Sequence, residues 1–450
     1  MTINRRKFLK KTGALAAGAF VAPYILPSGR LFAQTGSQLA QHVVYVLFAG
    51  GVRQQESVLQ RYLDDSQGLG NSYAGNIMPN AFNGAAPTQK IVYGTGAGGP
   101  TPIPPILSQS LEEQGVVFKE VASPTAGHYG GLNALLQGNT ANTQGLKSKP
   151  VFPTIFEYLR KHGGFPASKI WFVGNGIGNS VPLLNHSEYA GYGSQYGANF
   201  FAPSFTFGNE GFDYLSNAKV YHPEDQLSPV YQMKYFLDNS FKNLGNALPL
   251  LNNTDDEKQD IKAFMNEMFD KTTSGTVDFP PIGDNGDLQT VGYACELMRW
   301  FKPALTVVNM SNVDGCHSDF TGYLRNLHRA DHALGHIWDC VQSIPEMAGN
   351  TILLATPECG RNLQHNNIRD AENQWYAYDH SDQNSRRVFS VMAGPNVPSN
   401  LQVGSESNPV GLTTDGVPTI AEILGGSALK NEVLNSGFMA SGSQSLFDRI

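Results

Sequence analysis

Six short apolar runs rich in β-branched residues recur along the chain, at 42–48, 116–121, 170–173, 305–310, 351–355 and 388–393. Each is of strand length, and the first, HVVYVLF, carries no charged residue. A continuous apolar run ended by Ala49-Gly50-Gly51 suits a strand covered on both faces, as in a parallel sheet. Between the runs lie helical periods at 106–113, 129–137, 152–162, 256–271, 288–301 and 319–347. Strands alternating with helices predict an α/β fold, a three-layer sandwich with a mainly parallel sheet.

Composition narrows the class. Charged residues make up 15% and hydrophobic ones 41%, which is too apolar for a disordered chain, while 48 Gly and 26 Pro argue against a helical bundle. A single domain is expected over 40–450. It carries two long loop excursions, at 64–104 and 174–215, the second rich in Gly, Asn and aromatic residues. Residues 1–33 hold six basic side chains (Arg5, Arg6, Lys7, Lys10, Lys11, Arg30) and no acidic one. The whole chain has 31 basic against 38 acidic residues, so the remainder is strongly acidic and no nucleic-acid partner is expected.

The basic head, the apolar stretch 13–26 and the small-residue site Leu31-Phe32-Ala33 have the order of a secretory leader. Arg5-Arg6-Lys7-Phe8-Leu9-Lys10 reads as a twin-arginine signal, which implies the twin-arginine export machinery as a partner and a periplasmic or secreted protein. No later stretch is long and apolar enough for a stable membrane span. The four cysteines, Cys295, Cys316, Cys340 and Cys359, are too few for a disulfide framework; most are expected to be core thiols.

On the helix beginning near Asp319, Tyr323, Leu324, Leu327, Leu334, Ile337, Trp338, Val341 and Ile344 fall on one stripe. Asp331 lies inside that stripe and needs hydrogen-bond partners. His328, His332 and His336 fall on a flank and the outer face, and are expected to form a solvated row.

In parallel α/β sheets, ligands gather beyond the carboxyl ends of the strands. Polar groups cluster at that edge: Gly50-Gly51; Ser123, Thr125 and His128; Asp314, His317 and Asp319; Glu358, Cys359 and Arg361; and Asp379-His380. Their order resembles the alkaline phosphatase and sulfatase superfamily, and within it an exported branch with twin-arginine signals. The likeness rests on Gly50-Gly51, His128 with Gly138, Asp314 with His317, Glu358-x-Gly360-Arg361, Asp379-His380 and the late Val417-Pro418-Thr419, and spans about residues 40–425.

The resemblance implies an alkaline-phosphatase-like fold and a divalent metal, zinc or manganese, on Asp314, His317 and His380, with Asp319 as a substitute ligand. Glu358 and Cys359 would stand at a second cation, whose first aspartate is replaced here by Ala49. It further implies a small anionic ester as substrate, Thr125 as candidate nucleophile with Ser123 nearby, Arg361 on the anion, and His128 on the anion or the metal, with a histidine satisfied by neighbouring loops as the alternative. Arg361 pairing with Glu358 is the alternative for that residue, and Asp379 is expected to orient His380. The order of residues 123–127 departs from the sulfatase signature. The function expected is a metal-dependent hydrolase of phosphate or sulfate esters with one retained metal site. The alternative is a catalytically lapsed relative that binds a ligand or partner through the 174–215 loops.

Replacing Arg5 and Arg6 together by lysine should leave the precursor in the cytoplasm, read by immunoblot of cell fractions. Unchanged secretion would rule out the twin-arginine route.

Overall fold

The computed structural model describes residues 38–63, 67, 72–87, 103–140, 149–174, 184–203, 253–282 and 285–450. Residues 1–33, where a leader is expected, lie outside the described residues, as do parts of both excursions. Eight strands form one sheet: β1 (His42–Phe48), β2 (Gly115–Ala122), β3 (Ile170–Gly174), β4 (Asn199–Phe201), β5 (Leu305–Met310), β6 (Thr351–Pro357), β7 (Arg387–Ala393) and β8 (Leu401–Val403). Their order is β4-β3-β5-β1-β6-β7-β2-β8. All neighbouring pairs are parallel except the two made by β7, which runs against β6 and β2.

Among the described residues the helices are α1 (Leu111–Gln114), α2 (His128–Gln137), α3 (Ile155–Lys161), α4 (Asp255–Ser274), α5 (Gly286–Phe301), α6 (Phe320–Ser343) and α7 (Gly416–Leu434). Every residue of β1, β5 and β6 is buried. Alternation along β1 divides the two faces. Val44, Val46 and Phe48 join the core with Phe264 of α4, Leu297 of α5 and Leu327 of α6, whereas the Tyr45 hydroxyl reaches the start of α7 at Gly416. The fold is therefore a mixed α/β sandwich with helices on both faces of a mostly parallel sheet. No described helix is long and apolar enough to cross a membrane. All four cysteines are buried and free.

The helix expected at 106–113 begins only at Leu111. Ser110 caps it in a reciprocal box with Glu113, while Ile106 and Leu107 donate their N–H groups to Asn80 Oδ1 instead. The histidine row on α6 also differs from expectation. His328 and His332 are buried, because the 72–87 segment folds over this flank and Ile77 O accepts from His328 Nδ1 at 2.7 Å. Asp331 finds the partners its position demands. It accepts from Asn80 N and Nδ2, both at 2.9 Å, and from Ala81 N at 2.8 Å, which pins the excursion to α6.

Burial pushes the Asp331 carboxyl up to about 7, against the pull of those three N–H donors. A carboxyl raised on folding stabilises most below its unfolded value and loses that contribution as pH rises through its folded value. Stability to denaturant should therefore fall between about pH 4 and pH 7 in the wild type. That slope should flatten in Asp331→Asn, which should also cost about 1–3 kcal/mol by setting an amide N–H against a backbone N–H.

Candidate metal centre

β7 runs against its neighbours, so the loop that precedes it returns to the edge where β1, β2, β5 and β6 end. Four segments meet there: the Gly50-Gly51 turn after β1, the start of α2 after β2, the 3-10 turn Asn312–His317 after β5, and residues 358–386 between β6 and β7. The first turn must be glycine. Gly50 (φ 120°) approaches so closely that a β-carbon would stand 2.4 Å from Asp314 N, and one on Gly51 (φ 78°) would stand 2.8 Å from Arg361 Nε.

Three imidazoles converge at this edge. His128 Nδ1 lies 2.7 Å from Glu358 Oε1, His317 Nδ1 lies 2.8 Å from Asp379 Oδ1, and His380 Nδ1 lies 2.8 Å from Ala126 O. Carboxylate and carbonyl oxygens only accept, so each Nδ1 carries the hydrogen and each Nε2 is the remaining donor atom. One ligand atom from each of the three rings lies within 4.8 Å of the others. His128 Nε2 is 3.4 Å from His317 Nε2 and 3.1 Å from Asp314 Oδ1, which is 3.5 Å from His317 Nε2. Ligands at about 2.0–2.1 Å on a tetrahedron stand about 3.3 Å apart, so these three atoms trace one face of such a site. The imidazole and carboxylate donors suit zinc or manganese.

Charge at the centre is balanced by these contacts. Burial pulls the His128 imidazole down, but hydrogen bonds with Asp314, Cys359 and Glu358 outweigh it and raise the ring to about 12. Burial of Asp314 is likewise overcome, by the His128 hydrogen bond and charge and then by Arg361, leaving its carboxyl at about 2. His380 is lowered to about 4 by burial and by the neighbouring charges of His128 and Arg361. The raised ring and the lowered carboxyl face each other, with His128 Nε2 3.1 Å from Asp314 Oδ1.

Asp314 meets His317 and His128, and His380 stands with the same two rings. Arg361 takes neither expected role. It is fully buried, and its guanidinium donates to Gly50 O, to Tyr378 O at 3.2 Å and to Asp314 Oδ1 at 3.0 Å, so it braces Asp314 and the β1 turn. Glu358 and Cys359 lie on the Nδ1 side of His128. Glu358 Oε1 accepts from Gly50 N at 2.6 Å as well as from His128, and Oε2 is 3.4 Å from Gly51 N. Its oxygens are thereby committed to hydrogen bonds. Cys359 Sγ is 3.5 Å from His128 Nδ1, and burial raises its thiol pKa. His128, Glu358 and Cys359 do bring a second set of donor atoms within 4.8 Å, but this set shares His128 with the first and uses its protonated nitrogen.

Asp379 orients His317, not His380, and Asn366 Nδ2 steadies it through Oδ2 at 3.2 Å. Asp319 is no ligand; it caps α6 by accepting from Gly322 N at 2.9 Å. Ser123 is spent on Thr125 O and Glu358 O, at 2.8 and 3.2 Å. Thr125 Oγ1 accepts from Gly127 N at 3.1 Å. Sequence reasoning missed Asn366 and Ala126 O altogether, since neither residue type announces a role beside a metal.

No protein-family model and no curated protein matches the sequence. Solved structures do. One is a protein of the alkaline phosphatase superfamily from Vibrio parahaemolyticus, at 12% identity and TM-score 0.38, covering 94% of this chain and 76% of that one. A second is BT1596, a 2-O GAG sulfatase, at 11% and 0.39, covering 86% and 71%. A mutant of the TAB5 alkaline phosphatase with magnesium bound matches at 11% and 0.41, covering 86% and 98%. The structural neighbours are alkaline phosphatase superfamily members and sulfatases.

Asp379→Asn should weaken Zn²⁺ or Mn²⁺ binding by about 10–100-fold, because the amide removes the charge beside His317 and sets an N–H against either His317 Nδ1 or Asn366 Nδ2. Competition against a chromophoric chelator measures this, and an unchanged dissociation constant would remove Asp379 from the centre.

Proposed function

We propose that the chain is a divergent metal-dependent hydrolase of phosphate or sulfate esters, with one divalent cation, zinc or manganese, held by His128, Asp314, His317 and His380. One observation carries the reading. Three rings from three different segments commit their Nδ1 atoms to oxygen acceptors, which leaves their Nε2 atoms unspent, with those of His128 and His317 beside the Asp314 carboxylate. A cation bound there would supply Lewis-acid polarisation of a phosphoryl or sulfuryl oxygen.

The chain's own groups divide the remaining work. Asp379 and Asn366 fix His317, Ala126 O fixes His380, and the buried Arg361 keeps Asp314 ionised and in place. Thr125, in the segment that leads into α2, is the candidate nucleophile; its hydroxyl accepts from Gly127 N at 3.1 Å. The substrate is a small anionic ester. The leader carried by Arg5-Arg6-Lys7-Phe8-Leu9-Lys10 supports export to the periplasm or beyond through the twin-arginine machinery.

A second reading, a catalytically lapsed relative that binds a ligand or partner, draws on the 184–203 segment. Buried Glu157 grips it by accepting from Ser187 N, Ser187 Oγ and Gly193 N at 3.0, 2.8 and 2.7 Å, which presents Tyr189 at the surface.

Elemental analysis of the purified protein, beside His317→Ala and His380→Ala, separates the two. The hydrolase reading expects one ion per wild-type chain, its loss in both variants, and turnover of aryl phosphate or aryl sulfate with Zn²⁺ or Mn²⁺ that Asp314→Asn abolishes. Absence of metal from all three proteins would overturn it.

A further inference from the structure

The turn that offers Asp314 and His317 is gripped from outside the centre. Asp287, in the first turn of α5 and buried, accepts from Ser311 N at 2.7 Å through Oδ1 and from Asn312 N at 3.0 Å through Oδ2. Ser311 and Asn312 are the first two residues beyond β5, so this carboxylate sets the direction in which the chain leaves the sheet. From the opposite side, Asn326 Nδ2 of α6 donates to Asn312 O at 2.8 Å. The turn that follows is held in part by Arg361, which donates to Asp314 Oδ1 at 3.0 Å, and by two further bonds. Tyr378 N donates to Cys316 O at 3.0 Å, and Asn366 Nδ2 to His317 O at 3.1 Å.

We infer that Asp287, with Asn326 as the opposing grip, is a positioning residue that sets the affinity of the metal centre without touching it. The inference rests on the metal reading above. Burying a carboxylate is costly, and this one is repaid only by the two N–H donors and by its place at a helix N-terminus. Burial pushes its pKa up to about 6 against the pull of the Ser311 and Asn312 bonds, so above pH 7 it is ionised and both acceptors are in use. Substituting Asn keeps the shape but sets an amide N–H against one of the two backbone N–H groups. The turn must then shift, and with it both Asp314 Oδ1 and His317 Nε2. Donor atoms 3.1–3.5 Å apart leave little room for such a shift.

Asp331→Asn is the matched control. That carboxylate is equally buried and also accepts from backbone N–H groups, yet it pins the 72–87 segment and no part of the centre. The test is the dissociation constant for Zn²⁺ or Mn²⁺ at pH 8, by chelator competition on the full chain, for wild type, Asp287→Asn and Asp331→Asn. A loss of about 10-fold in Asp287→Asn, with Asp331→Asn within about 2-fold of wild type, is expected. Equal constants for wild type and Asp287→Asn, or equal losses in both variants, would overturn the inference alone. Should Asp287→Asn fail to fold, Asn326→Ala, which removes one bond to the same turn, is read against the same control by the same criteria. A wild type that binds neither ion would overturn the metal reading, and this inference with it.

Discussion

The centre depends on the commitment of three histidine Nδ1 hydrogens to fixed oxygen acceptors. A free imidazole presents either nitrogen and turns about two torsions. Glu358, Asp379 and Ala126 O remove that freedom for His128, His317 and His380, so most of the entropy that ion binding would otherwise cost is lost when the chain folds. The acceptors are themselves anchored. Glu358 is held by the Gly50-Gly51 turn, Asp379 by Asn366, and Ala126 by the entry to α2. The consequence is a set of nitrogen atoms aimed at one place by the ends of separate strands.

The sheet explains why these segments meet. Parallel strands all end at one edge, and the single reversed strand brings the 358–386 loop back to the same edge. At that edge the Gly50 backbone is pressed against Asp314 and braced by Arg361. The buried guanidinium therefore belongs to the foundation of the centre and not to an anion clamp. Charge follows the same plan, with Arg361 and His128 lying against Asp314.

Much of this was legible in the residues. The β-branched runs marked six of the eight described strands, because most of their residues are buried. The Gly50-Gly51, Asp314-His317 and Asp379-His380 segments were found from their strand-end placement. Asp331 announced its need for partners through its place on an apolar stripe. What was not legible depended on contacts between distant segments. His128 and His317 are 189 residues apart in sequence, and no spacing rule shows that their Nε2 atoms face each other. Asp379 sits next to His380 yet serves His317, since backbone direction in the loop decides which ring a carboxylate meets. The buried His328 and His332 looked like a solvated row because the covering 72–87 segment has no periodicity of its own. The two strands missed, β4 and β8, are three residues each, too short for a pattern.

The most direct measurement is a crystal of the full chain soaked in Zn²⁺ or Mn²⁺ and recorded at the metal's absorption edge. The account predicts one anomalous peak within bonding distance of Nε2 of His128, His317 and His380 and of the Asp314 carboxylate. A peak seated instead on Cys359 and Glu358, or no peak with the three rings in place, would contradict it.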